Sequence, residues 1–118
     1  TLGLSICYDI RFPTLFRDLT KKGAQIIFIP SAFTVPTGKD HWETLLRTRA
    51  IENTVFVVAT AQCGRHHNNR KTYGHSMIIN PWGKIIRKTT SLPKILNSSI
   101  NLEEIKVTRL RMPSIYHD

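Results

Sequence analysis

The stretch that decides the fold is Thr1-Leu2-Gly3-Leu4-Ser5-Ile6-Cys7-Tyr8-Asp9-Ile10-Arg11-Phe12-Pro13. Its apolar first part predicts a buried strand over residues 2–7. Pro13 predicts the first turn of a helix over residues 12–22, because proline is favoured at that position. The chain is therefore expected to bend directly after a thiol. A nucleophile is often placed at such a bend, where the positive end of a helix dipole favours the thiolate.

Cys7 has two interpretations. It is a buried strand cysteine, which is common because free cysteine is among the most buried residue types. Alternatively it is a nucleophile, with the backbone N–H of Tyr8 directed at a developing oxyanion. None of the five histidines and none of the carboxylates stands at a spacing from Cys7 that forces contact. The residues alone leave both interpretations open.

The rest of the chain alternates strands and helices before a meander. Further strands are predicted over residues 25–29, 55–63, 76–80, 84–87 and, more weakly, 95–100. A second helix is expected over residues 40–53, opened by a capping box of Asp40 and Glu43. A polar, basic loop is expected over residues 65–73, and a last helix follows Asn101, with Ile105 and Leu110 turned inward. The pattern predicts an α/β fold, a mixed sheet with helices on the outside.

Size and composition limit the class of protein. The chain has 118 residues, starts at Thr1 within a strand pattern and stops without a cap, so we expect a portion of a larger protein. No apolar stretch reaches the length that spans a bilayer, and no leader precedes the first strand. Two cysteines are too few for a disulfide framework, which favours a reducing, cytoplasmic location, with a mitochondrial one left open.

The formal net charge of +9 raises the alternative of a basic nucleic-acid-binding module without catalysis. The basic residues are spread over several predicted loops and helix ends. They are not interleaved with aromatic residues as in single-strand binders. We therefore expect a solvated basic surface and no nucleic-acid partner.

Three other groups of residues can each be interpreted as part of a functional site or as structural. Cys63-Gly64-Arg65-His66-His67 suggests zinc, but adjacent histidines point apart and no second cysteine pair exists, so no metal is expected. Arg49 on an apolar helix face predicts an internal ion pair with Glu52, with a substrate-binding arginine as the alternative. Residues 31–34 follow a buried strand, at the edge where ligands dock in such sheets.

Five groups of residues, taken in chain order, resemble the nitrilase superfamily of carbon-nitrogen hydrolases. Within this superfamily they most resemble the Nit branch, the deaminated-glutathione-type amidases. They are residues 3–13, Pro30-Ser31-Ala32-Phe33, His41-Trp42 with residues 47–53, Ala61-Gln62-Cys63-Gly64, and Tyr73-Gly74-His75-Ser76-Met77 with Asn80-Pro81-Trp82-Gly83. The resemblance implies part of an α-β-β-α sandwich that pairs into dimers or larger homo-oligomers. It implies hydrolysis of a small non-peptide amide without a metal or organic cofactor.

The resemblance also implies roles for single residues. Cys7 matches the nucleophile of a Glu–Lys–Cys triad, which forms a thioester with loss of ammonia before water releases the acid. The N–H of Tyr8 would help to hold the oxyanion. Phe33, Thr34 and Trp42 are candidates for substrate contacts.

One departure from the family pattern decides the domain prediction. The family's Glu and Lys both precede the cysteine, whereas the six residues before Cys7 include neither. Residues 1–118 are therefore expected to be the C-terminal portion of one carbon-nitrogen hydrolase domain, with the N-terminal half absent. We expect this portion to be inactive alone. Asp9 and Arg11 are predicted to brace the turn after Cys7.

Overall fold

The computed structural model describes residues 1–118. Its strands and α-helices are β1 (Leu2–Leu4), α1 (Pro13–Lys21), β2 (Ile26–Phe28), α2 (Val35–Thr37), α3 (Glu43–Asn53), β3 (Phe56–Ala59), β4 (Cys63–Arg65), β5 (Lys71–Tyr73), β6 (Met77–Ile79), β7 (Ile85–Lys88) and α4 (Glu103–Arg111). Short 3₁₀ turns occupy Cys7–Arg11, His67–Asn69 and Ser114–Tyr116, and a π turn at Gly38–Trp42 joins α2 to α3. None of the helices combines the length and apolar character that crossing a bilayer requires.

Five strands form one mixed sheet in the order β1-β2-β3-β6-β7. The first three run parallel, because α1 and the helical segment from α2 to α3 serve as crossovers, and β6 and β7 pair antiparallel. The strands predicted over residues 76–80 and 84–87 are β6 and β7, which form a hairpin. The predicted α/β class with a mixed sheet is therefore confirmed.

The core lies between one face of this sheet and the helices. Ile27, Val57 and Ile79 point to that face and belong to the same buried cluster as Phe16 of α1 and Leu46 of α3. All five side chains are fully buried. Near-continuous apolar runs of this kind are typical of strands in parallel sheets.

The opposite face of β1 is open. Leu2 and Leu4 stand in register with Ile26 and Phe28 of β2, and they are 60% and 72% exposed. Gly3, between them, faces the core, where a Cβ atom would lie 3.0 Å from Ile27. The alternation places two large apolar side chains on a side that no helix of this chain covers.

Two predictions for residues 55–73 were wrong. The strand expected over 55–63 is shorter: β3 ends at Ala59, and a single parallel bridge of Ala61 with Ser31 precedes β4, which starts at Cys63. The expected loop over 65–73 is instead a β-hairpin of β4 and β5. Asn68 and Asn69 adopt φ values of 64° and 61°, which allow the reversal because asparagine tolerates this region better than most residues.

Three further predictions were wrong. The predicted capping box at Asp40 does not exist, because helical backbone already begins at Val35 with Thr34 as its N-cap. Residues 95–100 form no strand. Leu110 is 85% exposed although Ile105 is buried as predicted, because five residues of helix rotate a side chain by about 140°.

Candidate active site

Cys7 lies where β1 ends. The Ser5 N–H donates to the Phe28 carbonyl oxygen at 3.1 Å, and the Cys7 N–H donates to the Pro30 carbonyl oxygen at 2.9 Å. These bonds continue the parallel pairing of β1 with β2 past the end of the assigned strands. Cys7 itself has φ +44°, a left-handed conformation that is rare for a residue with a side chain. Such conformations concentrate at functional sites.

The turn after Cys7 is held from two sides. The Asp9 carboxylate accepts a hydrogen bond from the Ile6 N–H at 2.8 Å, across the bend. Arg49 of α3 donates from Nε to the Ile10 carbonyl oxygen at 2.9 Å. The N–H of Tyr8, between these anchor points, takes no part in these bonds. A side chain and a core helix therefore fix the backbone around the thiol.

Arg49 belongs to the core. It is 5% exposed, its Nη1 lies 2.7 Å from a Glu52 oxygen, and its guanidinium lies over the Phe16 ring at 5.4 Å. The predicted ion pair is confirmed. The arginine is buried under the Cys7 turn and lines none of the cavities around the thiol. It is a positioning residue in this structure.

A groove of about 530 Å³ opens beside the thiol at the carboxyl ends of β1, β2 and β3, and we call it the strand-end groove. Loops at this edge commonly form ligand sites in α/β sheets. Cys7 is partly exposed here. The lining residues are Ile6, Cys7, Pro30, Ser31, Ala32, Thr60, Ala61 and Gln62.

Cys7 also lines a smaller cavity of about 230 Å³, which we call the Phe33 pocket. Arg11 lies over the rings of Tyr8 and Phe33 at 5.6 and 5.5 Å, and its Nη2 is 3.3 Å from His41 Nδ1. The residues that line the Phe33 pocket are Cys7, Tyr8, Arg11, Ala32, Phe33, Thr34, Thr37 and Arg70.

The structure brings most of the predicted site residues together. Tyr8, Arg11, Phe33 and Thr34 surround the Phe33 pocket with Cys7. Trp42 does not join them, because its side chain is fully buried and lines no cavity around the thiol. Its Nε1–H donates to the His75 carbonyl oxygen at 2.9 Å, and its ring packs on Phe33 at 4.7 Å. The buried Trp42 ring therefore supports Phe33 by packing against it.

The β4–β5 hairpin docks on the segment that carries Phe33 and Thr34. Thr72 pairs with Thr34 in an isolated bridge, and the Tyr73 N–H donates to the Phe33 carbonyl oxygen at 2.9 Å. Gly38 permits this close approach because it has no side chain: a Cβ atom there would lie only 2.2 Å from the Tyr73 ring. This docking brings Arg70 to the edge of the Phe33 pocket.

The histidines of the hairpin region do not converge with Cys63. His66 Nε2 lies 2.6 Å from the Thr72 hydroxyl, whereas His75 Nδ1 lies 2.7 Å from the Tyr73 carbonyl oxygen. The chain contains no group of three or more His, Cys, Asp or Glu side chains placed to hold one ion.

Residues 1–110 match the family model for carbon-nitrogen hydrolases. The chain belongs to the carbon-nitrogen hydrolase family. A deaminated glutathione amidase of Synechocystis is 53% identical over 116 residues, which cover 98% of this chain and 43% of that protein. The chain thus spans about two fifths of the length of this curated relative.

Solved structures show the same fold. The Caenorhabditis elegans NitFhit protein superposes with a TM-score of 0.95 at 48% identity, over 99% of this chain and 28% of that one. Saccharomyces cerevisiae Nit3, described as a member of branch 10 of the nitrilase superfamily, gives 0.90 at 36% identity, over 95% and 41%. The predicted nitrilase-superfamily resemblance is confirmed.

A third structure concerns the chemistry of a relative. A mutant of the amidase from Nesterenkonia has a TM-score of 0.71 and 28% identity, over 79% of this chain and 35% of that protein. Its active-site cysteine carries the acetamide moiety of fluoroacetamide as a covalent adduct.

Several residues that line the two cavities were not predicted as site residues, and two of them come from unexpected elements. Thr37 lines the Phe33 pocket from α2, which lies before the helix predicted over residues 40–53. Arg70 reaches the pocket from the hairpin, which was expected to be a loop. The only sequence signal for it was the turn-forming pair Asn68-Asn69 between short segments that can pair.

Proposed function

We propose that this chain carries the nucleophile of an amidase, and that Cys7 forms a thioester with the acyl group of a small amide. The observation that carries the proposal is the position of Cys7. It is a partly exposed thiol on a left-handed residue at the carboxyl end of a parallel strand, and it lines two cavities. The covalent adduct on the cysteine of the Nesterenkonia amidase supports it.

The proposed reaction has two steps. The Cys7 thiol gives its proton to the general base and its sulfur attacks the amide carbon. The C–S bond forms, and the C–N bond breaks as the base passes that proton to the leaving nitrogen. Water then attacks the thioester, which yields the carboxylic acid and restores the thiol. The N–H of Tyr8 is the proposed backbone donor to the oxyanion in both steps.

We propose that the general base comes from outside the two cavities that Cys7 lines, neither of which has a histidine in its lining. The linings of the strand-end groove and the Phe33 pocket contain no Asp, Glu or Lys, and the Asp9 carboxylate is engaged with the Ile6 N–H. In the family that the chain resembles, the catalytic Glu and Lys lie N-terminal to the cysteine. We therefore propose that residues 1–118 are the C-terminal portion of one hydrolase domain and do not turn over substrate alone.

The open face of β1 supports this division of the domain. Leu2, Leu4 and Ile6 are 60%, 72% and 68% exposed, and β1 is the edge strand of the sheet. A contiguous apolar patch of this kind marks a surface that another structure covers. We propose that the second sheet of the α-β-β-α sandwich packs on this face.

The substrate class follows from the relatives. The Synechocystis relative is named for deaminated glutathione, and we propose a substrate of that kind. Glutathione is a tripeptide, so each of its amide nitrogens is bonded to the carbon of the next residue. Cleavage of such a bond releases an amine, and ammonia is expected only from a primary amide.

We further propose a homo-oligomer of the full-length enzyme, dimer or larger, located in the cytoplasm. Support for the assembly comes from α4, where Val107 and Leu110 are 54% and 85% exposed. Sedimentation of the full-length enzyme as a monomer would contradict the assembly.

The activity is tested on the full-length enzyme with deaminated glutathione and with a primary amide. Release of an acid that is lost in Cys7→Ala and kept in Cys63→Ala would support the proposal. Cys63 is the matched control because it is the other free, partly exposed thiol and lines neither cavity beside Cys7. Undiminished hydrolysis by Cys7→Ala would refute it.

A further inference from the structure

The β4–β5 hairpin forms a cavity that the proposed chemistry does not use. It has a volume of about 320 Å³, and we call it the hairpin groove. Gln62, His66, His67 and Arg70 are among its walls. Ala32 and Arg70 line both this groove and the Phe33 pocket, so the groove begins where the pocket beside Cys7 ends.

The groove is cationic and lacks compensating acids. Its lining contains no Asp or Glu. Arg70 takes part in none of the ion pairs of the structure, which join acidic side chains to Arg17, Lys21, Arg49, Lys88 and Lys106. A guanidinium without a carboxylate partner is suited to bind a carboxylate in a bidentate manner.

The hairpin holds Arg70 in place through its neighbours. The Arg70 carbonyl oxygen accepts from the His66 N–H at 2.7 Å, and the His66 ring contacts the buried Thr72 hydroxyl at 2.6 Å. Thr72 is in turn bridged to Thr34 of the Phe33 pocket. The backbone of Arg70 is thus tied to the pocket wall, which reduces the entropy lost when a ligand binds.

We propose that the hairpin groove binds a carboxylate at the end of the substrate distant from the amide that is cleaved, with Arg70 as the main contact. The inference rests on the proposed function and deepens it. A tripeptide derivative with a carboxylate at each end has the chemistry to reach from Cys7 into a cationic groove. A short amide without that carboxylate would leave the groove empty.

The experiment compares deaminated glutathione with its C-terminal carboxamide, on full-length enzyme. We expect the unsubstituted enzyme to show a higher kcat/KM for the acid, and Arg70→Gln to lose about ten- to hundredfold on the acid alone, mainly through KM. Arg65→Gln is the matched control. Arg65 is a cation of the same hairpin that bonds to Asn69 at 3.2 Å and lines no cavity beside Cys7.

Binding to the Cys7→Ala enzyme, measured by calorimetry with the same two compounds, separates this inference from the proposed activity. Tighter binding of the acid that disappears in Cys7→Ala/Arg70→Gln would support the groove whatever the turnover. Equal losses for acid and carboxamide in Arg70→Gln, or a loss of the same size in Arg65→Gln, would overturn it. Failure of the unsubstituted enzyme to hydrolyse either compound would overturn the activity only.

Discussion

The backbone of Cys7 is strained for the residue it carries. A φ of +44° costs roughly 1–2 kcal/mol for a residue with a Cβ atom, whereas glycine adopts it freely. The strain persists because bonds from Cys7 to Pro30 and from Ile6 to Asp9 hold the turn. The Cys7 side chain therefore projects toward the cavities, and the strained backbone lowers the stability of the fold.

This strain predicts an unusual order of stability among variants of the full-length enzyme. Cys7→Gly should be more stable than Cys7→Ala by about 1 kcal/mol, although glycine normally weakens folded structure. Chemical denaturation measures the difference. Greater stability of the alanine variant would show that the left-handed backbone is absent in solution.

Arg49 supports the turn from the core. Arg49→Met would remove the ion-pair partner of Glu52 and the donor to the Ile10 carbonyl oxygen. Removing one member of a fully buried pair costs about 3–5 kcal/mol, and we expect a smaller loss here because the Glu52 side chain is 29% exposed. We expect unfolding at lower denaturant concentration and faster alkylation of Cys7. Arg47→Met is the control, since Arg47 lies on the same helix but bonds to Gly83 at 2.9 Å. Equal effects of the two variants on alkylation would contradict a specific role for Arg49.

Among the elements, the π turn and the hairpin depend on each other. Gly38 has helical dihedral angles, so alanine there would normally stabilise the helix, yet its Cβ would meet the Tyr73 ring at 2.2 Å. We expect Gly38→Ala to lower stability by about 1–3 kcal/mol through overpacking. The exposed Lys39→Ala next to it should change stability by no more than about 0.5 kcal/mol. A rise in melting temperature for Gly38→Ala would contradict the close docking.

The same two elements show where sequence reasoning stops. Strands such as Ile26–Phe28 and the ion pair of Arg49 with Glu52 follow local rules of apolar runs and helix spacing, and both were predicted. The hairpin was not, because β4 has three residues, one of them glycine, and its pairing depends on docking against Thr34. Arg70 could not be assigned to the site before that docking was known.

For the molecule as a whole, the open face of β1 is the decisive feature. If a second sheet covers it in the full-length enzyme, Leu4→Ser would remove apolar contacts from an interior. We expect a loss of about 2–4 kcal/mol. Leu92→Ser is the control because Leu92 is similarly exposed, at 70%, but lies outside the sheet. A change at Leu4 as small as that at Leu92 would contradict the proposed division of the domain.

The central claim is that the Cys7 sulfur becomes covalently bonded to the acyl group of the substrate. Full-length enzyme is mixed with substrate, quenched in acid during turnover, and digested for peptide mass mapping. We predict the mass of the acyl group on the peptide that contains Cys7, none on the peptide that contains Cys63, and decay of the adduct as acid accumulates. Steady turnover with Cys7 unmodified at every time, while a different residue carries the acyl group, would contradict the account.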